Sequence, residues 1–380
     1  MIQRIFRLLI LVVLLSISNY TIAQNKILKK LFSNTKDSTR SSSFLPMPVL
    51  GYAQETGFEF GVFALYSFYT DRQDTLTRNS AITGVATYTT LKQSNFLVKA
   101  DLWAPQNKYH YVGEIRFRDA PYNFYGTGDD TRDADKIFLG QKMFRLSAEV
   151  EKKMRPVSFT GLNAMFENYQ FDENEFGSIF NSNPYINGQN GGKVLFLGIS
   201  QIIDTRNNNT YTSKGTYIKL NYAYAPALFG DDNFEGSQTK IDVRSFKTLN
   251  NKTVLGFNSI YQTLQGTNTP FYLLPQLGND MIMRGYYTGR YRDQNLLAAQ
   301  AELRYRFHPR MGVVGFLGGG TAFRNRGINL EGIKPSYGAG MRYFFDVERG
   351  LSIRLDYGVG EKLPNEKRQT GFYISLGEAF

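Results

Sequence analysis

The most regular pattern in the chain lies at residues 295–307, where apolar and polar side chains alternate with a period of two. One face carries Leu297, Ala299, Ala301, Leu303, Tyr305 and Phe307, and the other carries Ala298, Gln300, Glu302, Arg304 and Arg306. Successive side chains of a β-strand point to opposite faces. Because one face suits lipid and the other suits a polar lumen, the pattern predicts a strand of a transmembrane β-barrel.

The same alternation recurs from Pro46 onward and predicts about sixteen strands. They span residues 47–54, 57–69, 80–91, 94–103, 109–119, 137–153, 156–171, 193–204, 214–225, 237–248, 252–265, 295–307, 311–323, 335–346, 350–360 and 371–380. Short turns alternate with long connections, the longest of which spans 266–294. We therefore predict an all-β protein, one antiparallel transmembrane barrel over residues 46–380, located in the bacterial outer membrane.

The N-terminal segment has the pattern of an export signal. Arg4 and Arg7 precede an apolar run at 8–15, and a small residue follows at Ala23. This order predicts a signal peptide over residues 1–23. Residues 24–45 are basic and rich in Ser and Thr, which favours a solvated periplasmic tail over a short amphipathic element on the membrane surface.

Composition narrows the possible functions. The chain has a formal net charge of +11, yet its cations are spread along the strands rather than gathered in one stripe. A charged lumen and attraction to anionic lipid explain this distribution better than nucleic acid binding. There is no cysteine, so neither a lipoprotein anchor nor a disulfide framework is expected.

Candidates for catalysis or metal binding are few. The two histidines, His110 and His308, have no serine or paired histidine at a useful spacing, so we expect no enzyme activity, metal centre or cofactor. An acidic loop could hold Ca²⁺ at the cell surface, although a solvated loop is the commoner arrangement. Its acids are Asp129, Asp130, Asp133 and Asp135.

Four stretches together resemble the BamA/TamA family of outer-membrane assembly proteins, also called the bacterial surface antigen family. MRGYY at 283–287 is similar to the family's loop signature, and PMPVLGYAQETGFEFG at 46–61 to its first hairpin. DTRNNNTYTSKGTYI at 204–218 resembles its Asp-Thr-Arg turn. GLSIRLDYGVG and GFYISLGEAF close the chain as in the family, and the resemblance covers residues 46–380.

The resemblance implies sixteen strands and a loop folded into the lumen, with Arg284, Gly285 and Tyr286 as its functional motif. Family members place an acid on the thirteenth strand as the partner of the arginine, but here Gly318 stands at that position. Glu302 and Asp356 face the lumen by alternation, so we expect them to replace it. The resemblance also implies a C-terminal signal for the cell's barrel-assembly machinery at Gly371, Phe372, Ile374, Leu376 and Phe380.

The resemblance implies a function as well. Residues 24–45 leave no room for the periplasmic POTRA domains of the family, so a member lacking POTRA domains is expected. Its expected role is to assist the insertion, translocation or scaffolding of outer-membrane components, through a weak seam between the first and last strands. Expected partners are outer-membrane lipids, the barrel-assembly machinery and client outer-membrane proteins. The alternatives are a passive pore and the membrane half of a patatin-type lipase system.

Overall fold

The computed structural model describes residues 40–53, 56–172, 180, 186–230, 233–325, 327, 332–347 and 350–380. The predicted signal peptide and most of the predicted tail lie outside these residues. Among the described residues, no helix has the length and apolar character needed to cross a membrane.

Sixteen strands form one closed antiparallel barrel, and their order in the sheet follows their order in the chain. They are β1 (Ser43–Ala53), β2 (Gly57–Phe68), β3 (Ser80–Thr89), β4 (Ser94–Trp103), β5 (Tyr109–Asp119), β6 (Gln141–Arg155), β7 (Ser158–Phe171), β8 (Gly192–Asp204), β9 (Gly215–Ala225), β10 (Glu235–Asn250), β11 (Thr253–Thr267), β12 (Asn295–His308), β13 (Met311–Phe323), β14 (Lys334–Asp346), β15 (Leu351–Val359) and β16 (Thr370–Leu376). The predicted fold class and strand number are confirmed.

Alternating polarity decides which way each side chain points. On β12, Glu302 and Arg304 are buried inside the barrel, whereas Leu303 and Tyr305 are exposed on its outer surface. The outer surface meets lipid, so apolar side chains are favourable on that face. The charged side chains lie in the lumen, where they are not exposed to lipid. The end with the longer connections is assigned to the cell exterior on the same principle.

Two strand boundaries in the first half of the chain differ from the prediction. β1 begins at Ser43, so the last residues of the predicted tail belong to the barrel. Residues Ile137–Leu139, expected in the sixth strand, instead pair with Tyr122–Phe124 in a short ribbon outside the barrel sheet. Burial explains this ribbon, because Phe124 and Leu139 are fully buried in an aromatic cluster under the external loops.

That aromatic cluster, here called the external plug, fills the outer end of the lumen. It joins the β5–β6 connection to the β11–β12 connection, and the rings of Phe124 and Phe271 lie 4.8 Å apart. Its members from these two connections are Phe124, Leu139, Phe271, Tyr272, Leu273 and Leu274. Burial of large apolar side chains supplies most of the stabilisation for such a cluster.

The end of the chain also departs from the predicted strand 371–380. β16 ends at Leu376, and Gly377 adopts a φ of +78°, a conformation that glycine tolerates without strain. The chain then turns into the lumen, where the ring of Phe380 lies 5.7 Å from that of Phe246. Arg304 donates a hydrogen bond of 2.9 Å to the Phe380 carbonyl oxygen. Phe380 is therefore a lumen residue rather than the last residue of the lipid-facing strand.

Replacing Phe380 with alanine should lower the free energy of unfolding by about 3 kcal/mol, because it empties a packed site between Phe246 and Val254. Urea unfolding of the refolded barrel in detergent measures the loss. Leu76→Ala is the control, since Leu76 is 71% exposed in the β2–β3 connection and should change stability by less than about 0.5 kcal/mol. Equal midpoints for wild type and Phe380→Ala would contradict the lumen position.

Candidate functional site

The β11–β12 connection folds back into the lumen instead of extending into solvent. Arg284, Tyr286 and Tyr291 are each fully buried. A two-residue ribbon pairs Gln276–Leu277 with Tyr291–Arg292 and closes the base of this segment. Residues 268–294, called the inward loop below, therefore enter the lumen: their first part belongs to the external plug, and the part that carries Arg284 lies beside β12–β16.

Arg284 sits between two carboxylates on different strands. Its Nη1 lies 2.5 Å from the Oδ2 of Asp356 on β15, and its Nη2 lies 2.7 Å from the Oε2 of Glu302 on β12. The guanidinium also stacks 3.5 Å above the ring centre of Phe316 on β13. All three charged side chains are fully buried. A buried charge is tolerated only when it is paired and hydrogen-bonded, and a planar guanidinium meets this requirement with two acids at once.

Two further arginines extend the ionic contacts toward the periplasmic end. Arg342 on β14 contacts Asp356 Oδ1 at 2.6 Å and Glu378 Oε2 at 2.8 Å. Arg304 contacts the second oxygen of Glu302 at 2.7 Å. Both carboxylates that hold Arg284 are thus shared with a second arginine, which satisfies their remaining lone pairs.

A fourth arginine connects the same group to the inward loop. Arg354 on β15 lies 2.6 Å from Asp280 Oδ2 and also donates to the Asp280 backbone carbonyl oxygen. The same Asp280 oxygen accepts a hydrogen bond of 2.7 Å from Ser375 on β16. We call these residues the ionic cluster: Arg284, Arg304, Arg342, Arg354, Asp280, Glu302, Asp356 and Glu378. Its four cations and four anions balance, and it ties the loop to β12, β14, β15 and β16.

Gly285 lets the loop approach the barrel wall. Its φ is +106°, and its amide donates a hydrogen bond of 3.0 Å to the Tyr373 hydroxyl on β16. A Cβ added to Gly285 would lie 2.8 Å from the Val359 nitrogen and 2.9 Å from a Gly358 backbone atom. Both the backbone conformation and the close approach therefore require glycine at this position.

Tyr286 fixes the external side of the motif. Its hydroxyl donates to the Pro335 carbonyl oxygen at 2.6 Å and accepts from the Glu361 amide at 2.8 Å. Burial raises the pKa of this loop tyrosine, so the hydroxyl keeps the proton that it donates. Its ring packs against Gly360, where an added Cβ would lie 2.6 Å from a ring carbon.

The sequence identified the triplet and its two acids, and the structure brings these five side chains or backbones to one place. The sequence did not identify the other members of the ionic cluster, which are Arg304, Arg342, Arg354, Asp280 and Glu378. Alternation had placed Arg304 on the lumen face beside Glu302, so its charge indicated that a further lumen contact was needed. No feature of the sequence indicated that Arg284 would contact Phe316, which lies two residues before Gly318.

The seam between the first and last strands is a second candidate site. β1 pairs with β2 along its whole length, from Ser43 to Ala53. Its pairing with β16 is confined to Tyr52 opposite Ile374. Among the described residues, the rest of the β1 edge has no strand partner on this side, which is the situation that invites strand addition.

The proposed C-terminal signal residues divide between the two faces of β16. Phe372 and Leu376 are exposed to the lipid side, Gly371 is buried, and Ile374 lies in the seam. Phe380 lies in the lumen, as described above.

The remaining candidates have structural partners. The two ring nitrogens of His110 lie 2.6 Å from Glu151 and 3.0 Å from Asp101. In the acidic loop, Asp133 contacts Lys136 at 3.0 Å. Among the residues that the structure describes, no group of three or more His, Asp or Glu side chains is arranged to hold a metal ion.

Comparisons with known proteins agree with this geometry. The model of the Omp85 superfamily domain matches residues 78–380. The fold is similar to BamA from Haemophilus ducreyi lacking POTRA domains 1–3, with a TM-score of 0.58 and 13% identity over 89% of this chain and 70% of that one. It is also similar to CdiB from Acinetobacter baumannii, with a TM-score of 0.55 and 10% identity over 92% and 67% of the two chains. CdiB from Escherichia coli gives a TM-score of 0.55 and 8% identity over 93% and 74%. No curated protein matches the sequence.

Replacing Arg284 with alanine should lower the free energy of unfolding by about 3–5 kcal/mol, because it leaves Glu302 and Asp356 with less compensation in a buried site. Urea unfolding in detergent again measures the effect. Arg72→Ala is the control at an exposed position in the β2–β3 connection, with an expected change below about 0.5 kcal/mol. A loss of stability no larger than that of the control would contradict the paired, buried position of Arg284.

Replacing Gly285 with alanine should displace the inward loop and expose its arginines to trypsin. The expected result is faster cleavage after Arg284, Arg290 or Arg292, followed by mass spectrometry of the fragments. Gly230→Ala is a matched control, because Gly230 also has a positive φ, +96°, but an added Cβ there meets nothing within 4 Å. If both variants resist trypsin equally, close packing of the loop at Gly285 is refuted.

Proposed function

The chain belongs to the Omp85 superfamily and is a bacterial outer-membrane β-barrel, and from this premise we propose that it assists the insertion of other polypeptides into the outer membrane at the β1–β16 seam. The observation that carries the proposal is the confinement of the seam pairing to Tyr52 and Ile374. An incoming strand would add to the unpaired edge of β1 and be exchanged from there into the membrane.

The energetics of the seam support strand exchange. An edge strand offers backbone N–H and C=O groups that need partners, and in lipid each unsatisfied group costs several kcal/mol. A client strand that pairs with β1 would remove this cost from both partners. Phe44 and Leu50 are 62% and 73% exposed on the lipid side, so the edge already lies within an apolar belt.

Two prolines limit how tightly a client strand can be held. Pro46 and Pro48 lie in the part of β1 that has no partner on the seam side. Proline in an edge strand has no N–H to donate, so the ladder at these positions lacks two hydrogen bonds. A weakened ladder favours release of the client after templating.

The ionic cluster supports the opposite side of the seam. The inward loop contacts β16 directly, through Gly285 with Tyr373 and Asp280 with Ser375. These contacts hold β16 to the β12–β15 wall. When the seam opens, β1 is therefore the strand that moves, and β16 stays in place.

A passive pore is a second candidate because the lumen contains a polar cavity of about 510 Å³ beside β5–β7 and β10–β11. Arg116, Arg118 and Lys240 are among its lining residues, which would favour anions. The external plug contributes Tyr272, Leu273 and Leu274 to the same cavity, so its outer side is covered.

A disulfide across the seam tests the proposal. The chain has no cysteine, so Tyr52→Cys with Ile374→Cys introduces a single defined pair at directly opposed positions. Cells depleted of the native protein and supplied with this variant should lose a defined set of outer-membrane proteins, and a reductant should restore them. Quantitative proteomics of outer membranes measures the set.

The matched control keeps Ile374→Cys and pairs it with Leu355→Cys, which is its opposite residue on β15. This disulfide joins strands that remain paired and should leave the proteome unchanged. If the seam disulfide forms and the proteome is still normal, insertion at the seam is excluded. Steady ion conductance through the purified barrel in planar bilayers would then favour the pore.

A further inference from the structure

A wide groove opens at the external end of the seam, and its inner side reaches Tyr125 and the inward-loop residue Tyr287. It has a volume of about 1090 Å³ and lies between the β5–β6 and β15–β16 connections above and three strand ends below. Ligand sites for small molecules span roughly 300–1,000 Å³, so this groove has room for a lipid headgroup. No part of the ionic cluster lines it.

The upper wall of the groove carries unpaired positive charge. Its cations are Arg132, Lys136, Lys367 and Arg368, and its acids are Asp133 and Glu366. Both acids are already engaged, because Asp133 contacts Lys136 at 3.0 Å and Glu366 contacts the buried Arg290 at 2.8 Å. Among the described residues, the side chains of Arg132 and Lys367 have no hydrogen-bond or ion-pair partner, and both residues are exposed.

The lower wall is aromatic and faces lipid. Tyr52 on β1, Tyr357 on β15 and Phe372 on β16 line it. Tyr357 and Phe372 are 50% and 41% exposed on the outer surface of the barrel, and the rings of Tyr52 and Phe372 lie 6.1 Å apart across the seam. Aromatic side chains at this depth mark the boundary between hydrocarbon and headgroups.

We propose that this groove binds the phosphate group of an outer-leaflet lipid, with Arg132 and Lys367 as the phosphate ligands and the aromatic wall against the lipid's acyl chains. The arrangement of the two walls supports this assignment, because the cations lie above the membrane boundary and the aromatic side chains lie at it. Phosphate is a strong acceptor for arginine and lysine, and clustered basic residues at a membrane surface bind anionic headgroups. A bound lipid would bridge the external ends of β15, β16 and β1, beside Tyr52, the residue of β1 that pairs with β16.

Native mass spectrometry of the detergent-solubilised full chain tests the site with three probes. These are lipid A carrying two phosphates, the same lipid with both phosphates removed, and inorganic phosphate. The wild type should retain phosphorylated lipid A in preference to the dephosphorylated form. Arg132→Gln with Lys367→Gln should weaken this retention at least about tenfold, since each basic side chain contributes separately to headgroup binding.

The matched control is Lys92→Gln with Lys362→Gln, which removes two exposed cations from external connections outside the groove. It should retain phosphorylated lipid A as the wild type does. Equal retention by wild type and the groove variant would overturn the proposal, as would an equal loss in the control. Retention of inorganic phosphate as tight as that of lipid A would assign the groove to a free ion instead. None of these outcomes depends on whether the seam opens.

Discussion

The position of Arg284 between Asp356 and Glu302 is the constraint on which the rest of the structure depends. A guanidinium that is fully buried in a lumen is costly unless its charge and its donors are satisfied together. Two acids from strands that are not neighbours meet that need only if the loop enters the barrel and reaches both. The inward course of the loop around Arg284 and the positive φ of Gly285 follow from this requirement.

The same contacts support some strands of the barrel more strongly than others. The ionic cluster and the hydrogen bonds of the loop hold β12, β14, β15 and β16 as one wall. Among the residues that the structure describes, β1 has no comparable support on its seam side, and it carries two prolines there. Strand exchange is therefore proposed for the unpaired edge of β1, and lipid binding for the external end of the same seam, while the lumen beside β12–β16 is packed.

Periodicity was sufficient to predict the fold, because side chains on opposite faces meet lipid and lumen, and a shift of one residue would bury every charge in hydrocarbon. The triplet and its acids were also accessible, since alternation fixes which side chains face inward. The ionic partners on the loop itself were not, because Asp280 lies in an irregular segment where period carries no information. Phe380 was expected in a strand because GFYISLGEAF alternates well. Gly377 ends the strand, however, and Glu378 contacts two arginines in the lumen.

Hydrogen–deuterium exchange of the whole barrel in lipid nanodiscs tests most directly whether the ionic cluster makes one wall rigid and leaves the seam free. Amides of β1 between Ser43 and Gly51 should exchange faster than those of any strand from β12 to β15. Arg284→Ala should speed exchange in β12, β15 and β16 and leave β1 nearly as before. Uniform protection around the barrel, or exchange in β12–β15 as fast as in β1, would contradict this difference between the wall and the seam.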